Sequence, residues 1–221
     1  MAPAVTRIMV VDDHPLVRQG LRFLLEPERD IVVAAEADTV ALAIDQSRAL
    51  TPHVVVMDAR LPDGSGVEAC RAIRSEHPEI SLLMLTSAPD DEALYLSVIA
   101  GADGFVPKQV RGRRIVSAIR QLVAGEPLHD PREIARALDR MRVRAGTRAV
   151  ASHLTPIERS VTELIARGAT NREIVTRLEI DEAVLNDQLT ALVSDHVGGR
   201  RAEVADILLR HLAPAQVAPA P

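Results

Sequence analysis

Cysteine is nearly absent. Cys70 stands alone in 221 residues, which excludes an internal disulfide and any cysteine-built metal cluster. No N-terminal segment reads as a signal peptide and none spans a membrane, so a soluble, cytoplasmic chain without a membrane partner is expected. No internal repeat is evident. Lysine is as scarce as cysteine: 25 of the 26 basic residues are Arg, and the other is Lys108. Set against 31 acidic residues, this gives a net charge of −5. A chain-wide polyanion-binding surface is thereby disfavoured, and any nucleic-acid contact must be regional.

The length suits two domains, since single domains usually run to about 100–150 residues. Residues 7–124 alternate short apolar runs with longer stretches of helical period, the pattern of a parallel sheet flanked by helices. Five strands are expected, at Arg7–Val11, Asp30–Ala34, His53–Met57, Ile80–Leu85 and Gly104–Pro107, each rich in Val, Ile or Leu as a strand buried on both faces should be. Helix starts are marked by Asp38 as an N-cap, by Pro15 and Pro89 near first turns, and by Asp90, Asp91 and Glu92 at a positive helix end. Thr51-Pro52 and His77-Pro78 stop the second and third helices. After Gly125 the pattern breaks. One helix is expected over Arg132–Arg142, followed by a linker at Arg144–Ala149. From Leu154 onward every apolar run has helical spacing, which predicts a small all-α unit of about four helices. Ala213–Pro221 reads as a disordered Ala/Pro-rich tail. The expected division is therefore 5–124, a linker at 125–152, a helical domain at 153–213 and a tail at 214–221.

The reactive side chains of the first domain all fall at the C-terminal ends of expected strands, where open α/β sheets bind ligands. Asp12 and Asp13 follow the first strand, Asp58 the third, Thr86 the fourth and Lys108 the fifth. In a doubly wound order of 2-1-3-4-5 the first and third strands are neighbours at the switch point, so the three carboxylates converge. Like charges so close must raise a pKa or recruit a cation, and an all-oxygen set suits Mg²⁺, which keeps several waters and accepts a phosphate oxygen. Singly, each Asp would pass as an ordinary cap or loop residue. At the fifth strand end stands the chain's one ammonium, compact where a guanidinium is planar and bulky.

Val10-Val11-Asp12-Asp13-His14, Met57-Asp58-Ala59-Arg60-Leu61-Pro62-Asp63-Gly64-Ser65-Gly66, Leu85-Thr86-Ser87 and Gly104-Phe105-Val106-Pro107-Lys108 together resemble the receiver domain of two-component response regulators over residues 7–124. That resemblance implies Asp58 as the nucleophile taking a phosphoryl group from a sensor histidine kinase. It implies Mg²⁺ held by Asp13, Asp58 and the Arg60 carbonyl, with Asp12 acting through water. Lys108 and Thr86 would bind the phosphoryl oxygens, and Phe105 would be the aromatic that turns inward with Thr86. The sequence departs from the family in placing Pro107 before the lysine and Gln109 after it. A rival aspartyl chemistry, that of haloacid-dehalogenase phosphatases, needs an acid/base Asp two residues on. Position 60 is Arg, so the chain is not expected to be an enzyme.

Leu154-Thr155-Pro156-Ile157-Glu158-Arg159, Ile165–Ile174 and Arg177-Leu178 resemble a LuxR-type helix-turn-helix. Joined to a receiver, this is the NarL/FixJ arrangement, and the receiver is most similar to the DosR/DevR type. Thr155-Pro156 starts a helix, Gly168 ends it, Thr170-Asn171 starts a second, and Glu179–Asp181 makes the turn before the reading helix at about Glu182–Asp195. The run Asp181–Asp195 carries four acids and no basic residue, and residues 154–221 hold seven Arg against ten acidic residues. Phosphate contacts therefore fall to Arg172, Arg177, Arg200 and Arg201, with Asn186 and Gln188 as base readers. Two uses fit this sequence: phosphorylation-driven homodimerisation that lets paired domains bind DNA by avidity, or a helix-turn-helix kept as a protein-interaction module that binds no specific DNA.

Overall fold

The computed structural model describes residues 5–86, 90–110, 112–126, 128, 131–144, 154–194 and 198–212. Residues 145–152 of the expected linker at 125–152, and the tail at 214–221, lie outside these residues. Two compact units emerge, one of residues 1–89 and 96–129, the other of residues 90–95 and 130–221.

The first unit runs β1 (Thr6–Val11), α1 (Pro15–Leu25), β2 (Ile31–Ala37), α2 (Val40–Leu50), β3 (Val54–Asp58), β4 (Arg60–Leu61), β5 (Gly64–Ser65), α3 (Gly66–Glu76), β6 (Ser81–Thr86), α4 (Asp90–Ala100), β7 (Gly104–Pro107) and α5 (Gly112–Val123), the first half of α4 grouping with the second unit. Five strands form one parallel sheet in the order β2-β1-β3-β6-β7. With the β4–β5 pair set aside, this is the expected doubly wound order. The central strands are apolar throughout because both faces are covered. Ile8, Val10, Val54, Val56, Leu83 and Leu85 alternate onto one face and pack with Leu21 and Leu25 of α1 and with Ile115, Val116 and Ile119 of α5. Met9, Val11, Val55 and Met57 point to the opposite face and are equally buried. Each such side chain contributes roughly 1.5–3 kcal/mol.

One local expectation needs correction. Thr39, not Asp38, caps α2, its side chain accepting from the Leu42 N–H. After Asp58 the structure adds a short antiparallel hairpin, in which Arg60–Leu61 and Gly64–Ser65 pair. Proline falls where its fixed φ serves, in the first turn of α1.

The second unit contains α6 (Pro131–Arg144), α7 (Pro156–Ala166), α8 (Asn171–Leu178), α9 (Glu182–Ser194) and α10 (Gly198–Leu212). α6 extends beyond the expected helix at both ends. α7 and α8 each begin with a reciprocal capping box, Thr155 with Glu158 and Thr170 with Glu173. Gly168, at φ 78°, turns the chain out of α7, and Glu179 ends α8 in the left-handed region at φ 53°. Val161, Ile174, Leu185, Leu189, Leu192, Val204 and Leu208 are all buried.

Candidate functional site

Sheet register builds the site. Val11 pairs with Met57 across β1 and β3, so the next residues, Asp12 and Asp58, leave the sheet side by side. Asp58 pairs with Leu85 and Thr86 with Pro107, which brings Thr86 and Lys108 to the same edge. The Lys108 N–H donates to the Thr86 carbonyl at 2.8 Å.

The Lys108 Nζ donates to Asp12 Oδ2 at 2.7 Å and to Asp58 Oδ2 at 2.8 Å. Asp12 is wholly buried and Asp58 is 7% exposed, so one ammonium compensates two carboxylates in a water-poor cleft. Burial pushes the Asp58 carboxyl above its ordinary range, against the opposing hydrogen bond and charge of Lys108. Burial also works against the charge of Lys108, but the hydrogen bonds from Asp12 and Asp58 outweigh it and its pKa lies above the usual value. Asp12 is further fixed on its other side, where Oδ1 accepts from the His14 N–H at 2.9 Å and its carbonyl accepts from Arg18 at 2.6 Å.

Asp12, Asp13, His14 and Asp58 each offer a donor atom within 4.8 Å of the others. Asp13 Oδ1 is buried and accepts no aligned hydrogen bond, its near neighbour being His14 Nδ1 at 2.5 Å, which leaves the oxygen open to a cation. The donor set is mainly oxygen, so it fits a hard divalent ion. His14 was not among the residues singled out from sequence, although it directly follows Asp12-Asp13. Thr86 is buried, and Phe105, half-buried on β7, stands in register with Met84. Arg60, exposed on β4, follows Asp58 closely enough for its backbone N–H to bond the Asp58 carboxylate.

The hairpin returns the chain tightly beneath Asp58. Gly66 donates its N–H to the Ala59 carbonyl at 3.1 Å, and a Cβ there would lie 1.8 Å from the Asp58 carbonyl oxygen. Backbone cannot move aside as a side chain can. Gly66→Ala should therefore cost about 3 kcal/mol in denaturant unfolding and slow modification of Asp58. A variant matching wild type in both would refute this close approach.

In the second unit, Arg172 and Arg177 are exposed on α8, while Asn186 and Gln188 on α9 are half-buried. Asn186 Oδ1 is enclosed and has no hydrogen-bond partner, so this oxygen is not presented to solvent. Arg200 and Arg201 fall in α10, but their side chains lie outside the described residues. α9 exposes Asp181's neighbour Glu182 and Asp187, consistent with its acidic sequence.

A sheet with this acidic edge has clear relatives. The family described as response regulator receiver domain matches residues 8–120. The chain belongs to the response regulators. It is similar, at 35% identity over 91% of its own length and 93% of the relative's, to the DNA-binding transcriptional activator DevR/DosR of Mycobacterium tuberculosis. It is 31% identical to the response regulator protein VraR of Staphylococcus aureus over 85% of this chain and 88% of that protein. A crystal structure of a LuxR-family two-component response regulator from Aurantimonas aligns with a TM-score of 0.56 at 37% identity, covering 63% of this response regulator and 99% of that chain. These relatives are regulators rather than enzymes, in keeping with Arg at position 60. Among the described residues no helix is long and apolar enough to cross a membrane.

Proposed function

We propose that this response regulator accepts a phosphoryl group on Asp58 from the phosphohistidine of a sensor histidine kinase in the cytoplasm, and thereby controls transcription through its C-terminal helices. The Lys108 bridge between Asp12 and Asp58 carries the reading. An Asp58 oxygen forms the bond to phosphorus as the phosphorus–nitrogen bond to the donor histidine breaks, leaving an acyl phosphate. Asp13, Asp58 and the Arg60 carbonyl would hold Mg²⁺, with Asp12 acting through water; when bound, the ion offsets charge on the phosphoryl oxygens. Lys108 keeps Asp12 and turns from the Asp58 carboxylate to the phosphoryl oxygens. Thr86 moves to donate its hydroxyl to them, and Phe105 turns inward behind it.

Output is read as DNA binding by a homodimer, supported by the DNA-binding activity in the name of the DevR/DosR relative. Arg172, Arg177, Arg200 and Arg201 would contact phosphates and Gln188 would read a base edge, while the enclosed Oδ1 of Asn186 is withheld from that role. One observation favours the second reading, a protein-interaction module: α9 carries Glu182 and Asp187 and no basic residue, where affinity for DNA depends on neutralised phosphates. A salt-titrated DNA-binding measurement on unmodified and phosphorylated protein separates the two. Binding that tightens on phosphorylation and weakens with a salt slope of about −0.9 for each phosphate contact supports the first. No binding in either state at low salt selects the second.

A further inference from the structure

His14 occupies the N-cap of α1, a position that usually spends its side chain on the orphan N–H groups of the first turn. Here the side chain makes no such bond. Its Nδ1 instead lies 2.5 Å from Asp13 Oδ1 and 3.4 Å from Asp12 Oδ1. Asp13 Oδ1, the nearer of these oxygens, is the buried one with no hydrogen-bond partner. A ring nitrogen and a carboxylate oxygen thus sit together at the acidic site, and the imidazole is not spent on the helix.

The remaining lone pairs leave this side of the cleft open. Lys108 claims Asp12 Oδ2 and Asp58 Oδ2, and the His14 backbone N–H claims Asp12 Oδ1. Asp13 Oδ1 is claimed by neither, and the imidazole stands beside it. All four residues offer donors within 4.8 Å of one another, and ligands opposite each other on a small divalent ion are separated by about 4.2 Å, twice a bond of about 2.1 Å. His14 is 68% exposed, so its ring has room to reorient toward a bound ion.

We propose that His14 is a further donor to the cation site and tilts it from Mg²⁺ toward borderline divalent ions such as Co²⁺ and Zn²⁺. The reason is ligand chemistry. Mg²⁺ takes oxygen and gives up water reluctantly, whereas imidazole nitrogen suits the later first-row ions, whose affinities already rise along the series. An all-oxygen site already follows that series but offers no donor that the later ions favour and Mg²⁺ disfavours. One nitrogen beside the carboxylates adds a preference that Mg²⁺ does not share. The inference rests on the cation site proposed above and adds to it which ions that site prefers.

The test is titration of the full-length unphosphorylated protein with Co²⁺ and, separately, with Mg²⁺, followed by calorimetry and, for Co²⁺, by its visible absorption bands. His14→Asn is the informative variant, because Asn is a good N-cap and should hold α1 at least as well as His. Co²⁺ affinity is expected to fall on the order of tenfold or more, with altered absorption bands, while Mg²⁺ affinity stays within about twofold. Equal losses for both ions, or no loss for Co²⁺, would overturn the role of His14. Asp13→Asn should weaken both ions, and if it weakens neither, the cation site itself falls. The two failures are therefore distinguishable.

Discussion

Asp58→Asn should take no label from acetyl phosphate and Mg²⁺ under conditions in which the wild-type chain is modified, and the label on wild type should show the alkaline lability of an acyl phosphate. Asp12 and Asp13 stand within reach of the same cation site, but Asp12 is wholly buried and tied on both oxygens. Asp58 is the carboxylate that combines burial, the ammonium contact and a raised pKa. Equal labelling of variant and wild type would sink the assignment. The same substitution should also stabilise the metal-free protein. The folded state holds the Asp58 proton more tightly than the unfolded chain does, so stability is lost as pH rises from the unfolded value through the higher folded one. Above that window wild type carries the whole penalty, and Asn carries none. Thermal unfolding at neutral pH should show the variant about 2–4 °C higher, with the gap closing below about pH 3.8, the ordinary carboxyl value. A variant that melts lower at neutral pH would mean that the Lys108 contact, not burial, dominates at Asp58.

The site was legible in the sequence because of how buried parallel strands end. A strand covered on both faces is an uninterrupted apolar run, so the first polar residue after it marks the sheet edge, as Asp12, Asp58 and Lys108 do after Val11, Met57 and Pro107. What joined those edges into a site was register, Val11 opposite Met57 and Thr86 opposite Pro107, and register is a property of pairing between strands that no single run displays. The β4–β5 hairpin escaped notice because two-residue strands have no period to detect. Asp38 was favoured over Thr39 as the cap of α2, although both are capping types; the choice depends on which residue is left in extended conformation with its oxygen over the Leu42 N–H. His14 was visible beside Asp12-Asp13, but only the failed cap and the 2.5 Å approach to Asp13 give it a role to test. Similarly, an Asn on a helix face reads as a base contact until its oxygen is found enclosed, as it is at Asn186.

Lys108→Met should produce the largest loss of stability of any substitution at the site. Removing the ammonium leaves Asp12, wholly buried, and Asp58, nearly so, facing each other with no compensating charge, and breaking a buried pair from one side costs about 3–5 kcal/mol. The sign with pH is fixed by the lysine itself. Its folded pKa is raised above 10.5, so its contribution is complete below that value and disappears as pH rises through the folded pKa. The deficit should accordingly be full at neutral pH and vanish in strong alkali. Saturating Mg²⁺ should recover part of it, since a divalent ion beside Asp13 and Asp58 restores positive charge to the same carboxylates. Function should not recover with it. Among the described residues Lys108 is the cation that bridges Asp12 and Asp58; if it passes to a phosphoryl oxygen as proposed, the Met variant should accept label and yet show no difference in DNA affinity between its two states. Lys108→Arg separates charge from shape: it should keep most of the stability at neutral pH but switch poorly, because a planar fork cannot replace a point charge that bridges Asp12 at 2.7 Å and Asp58 at 2.8 Å. An Arg variant that switches normally would show that positive charge alone suffices, and a Met variant as stable as wild type would show that the two carboxylates are not held by this ammonium.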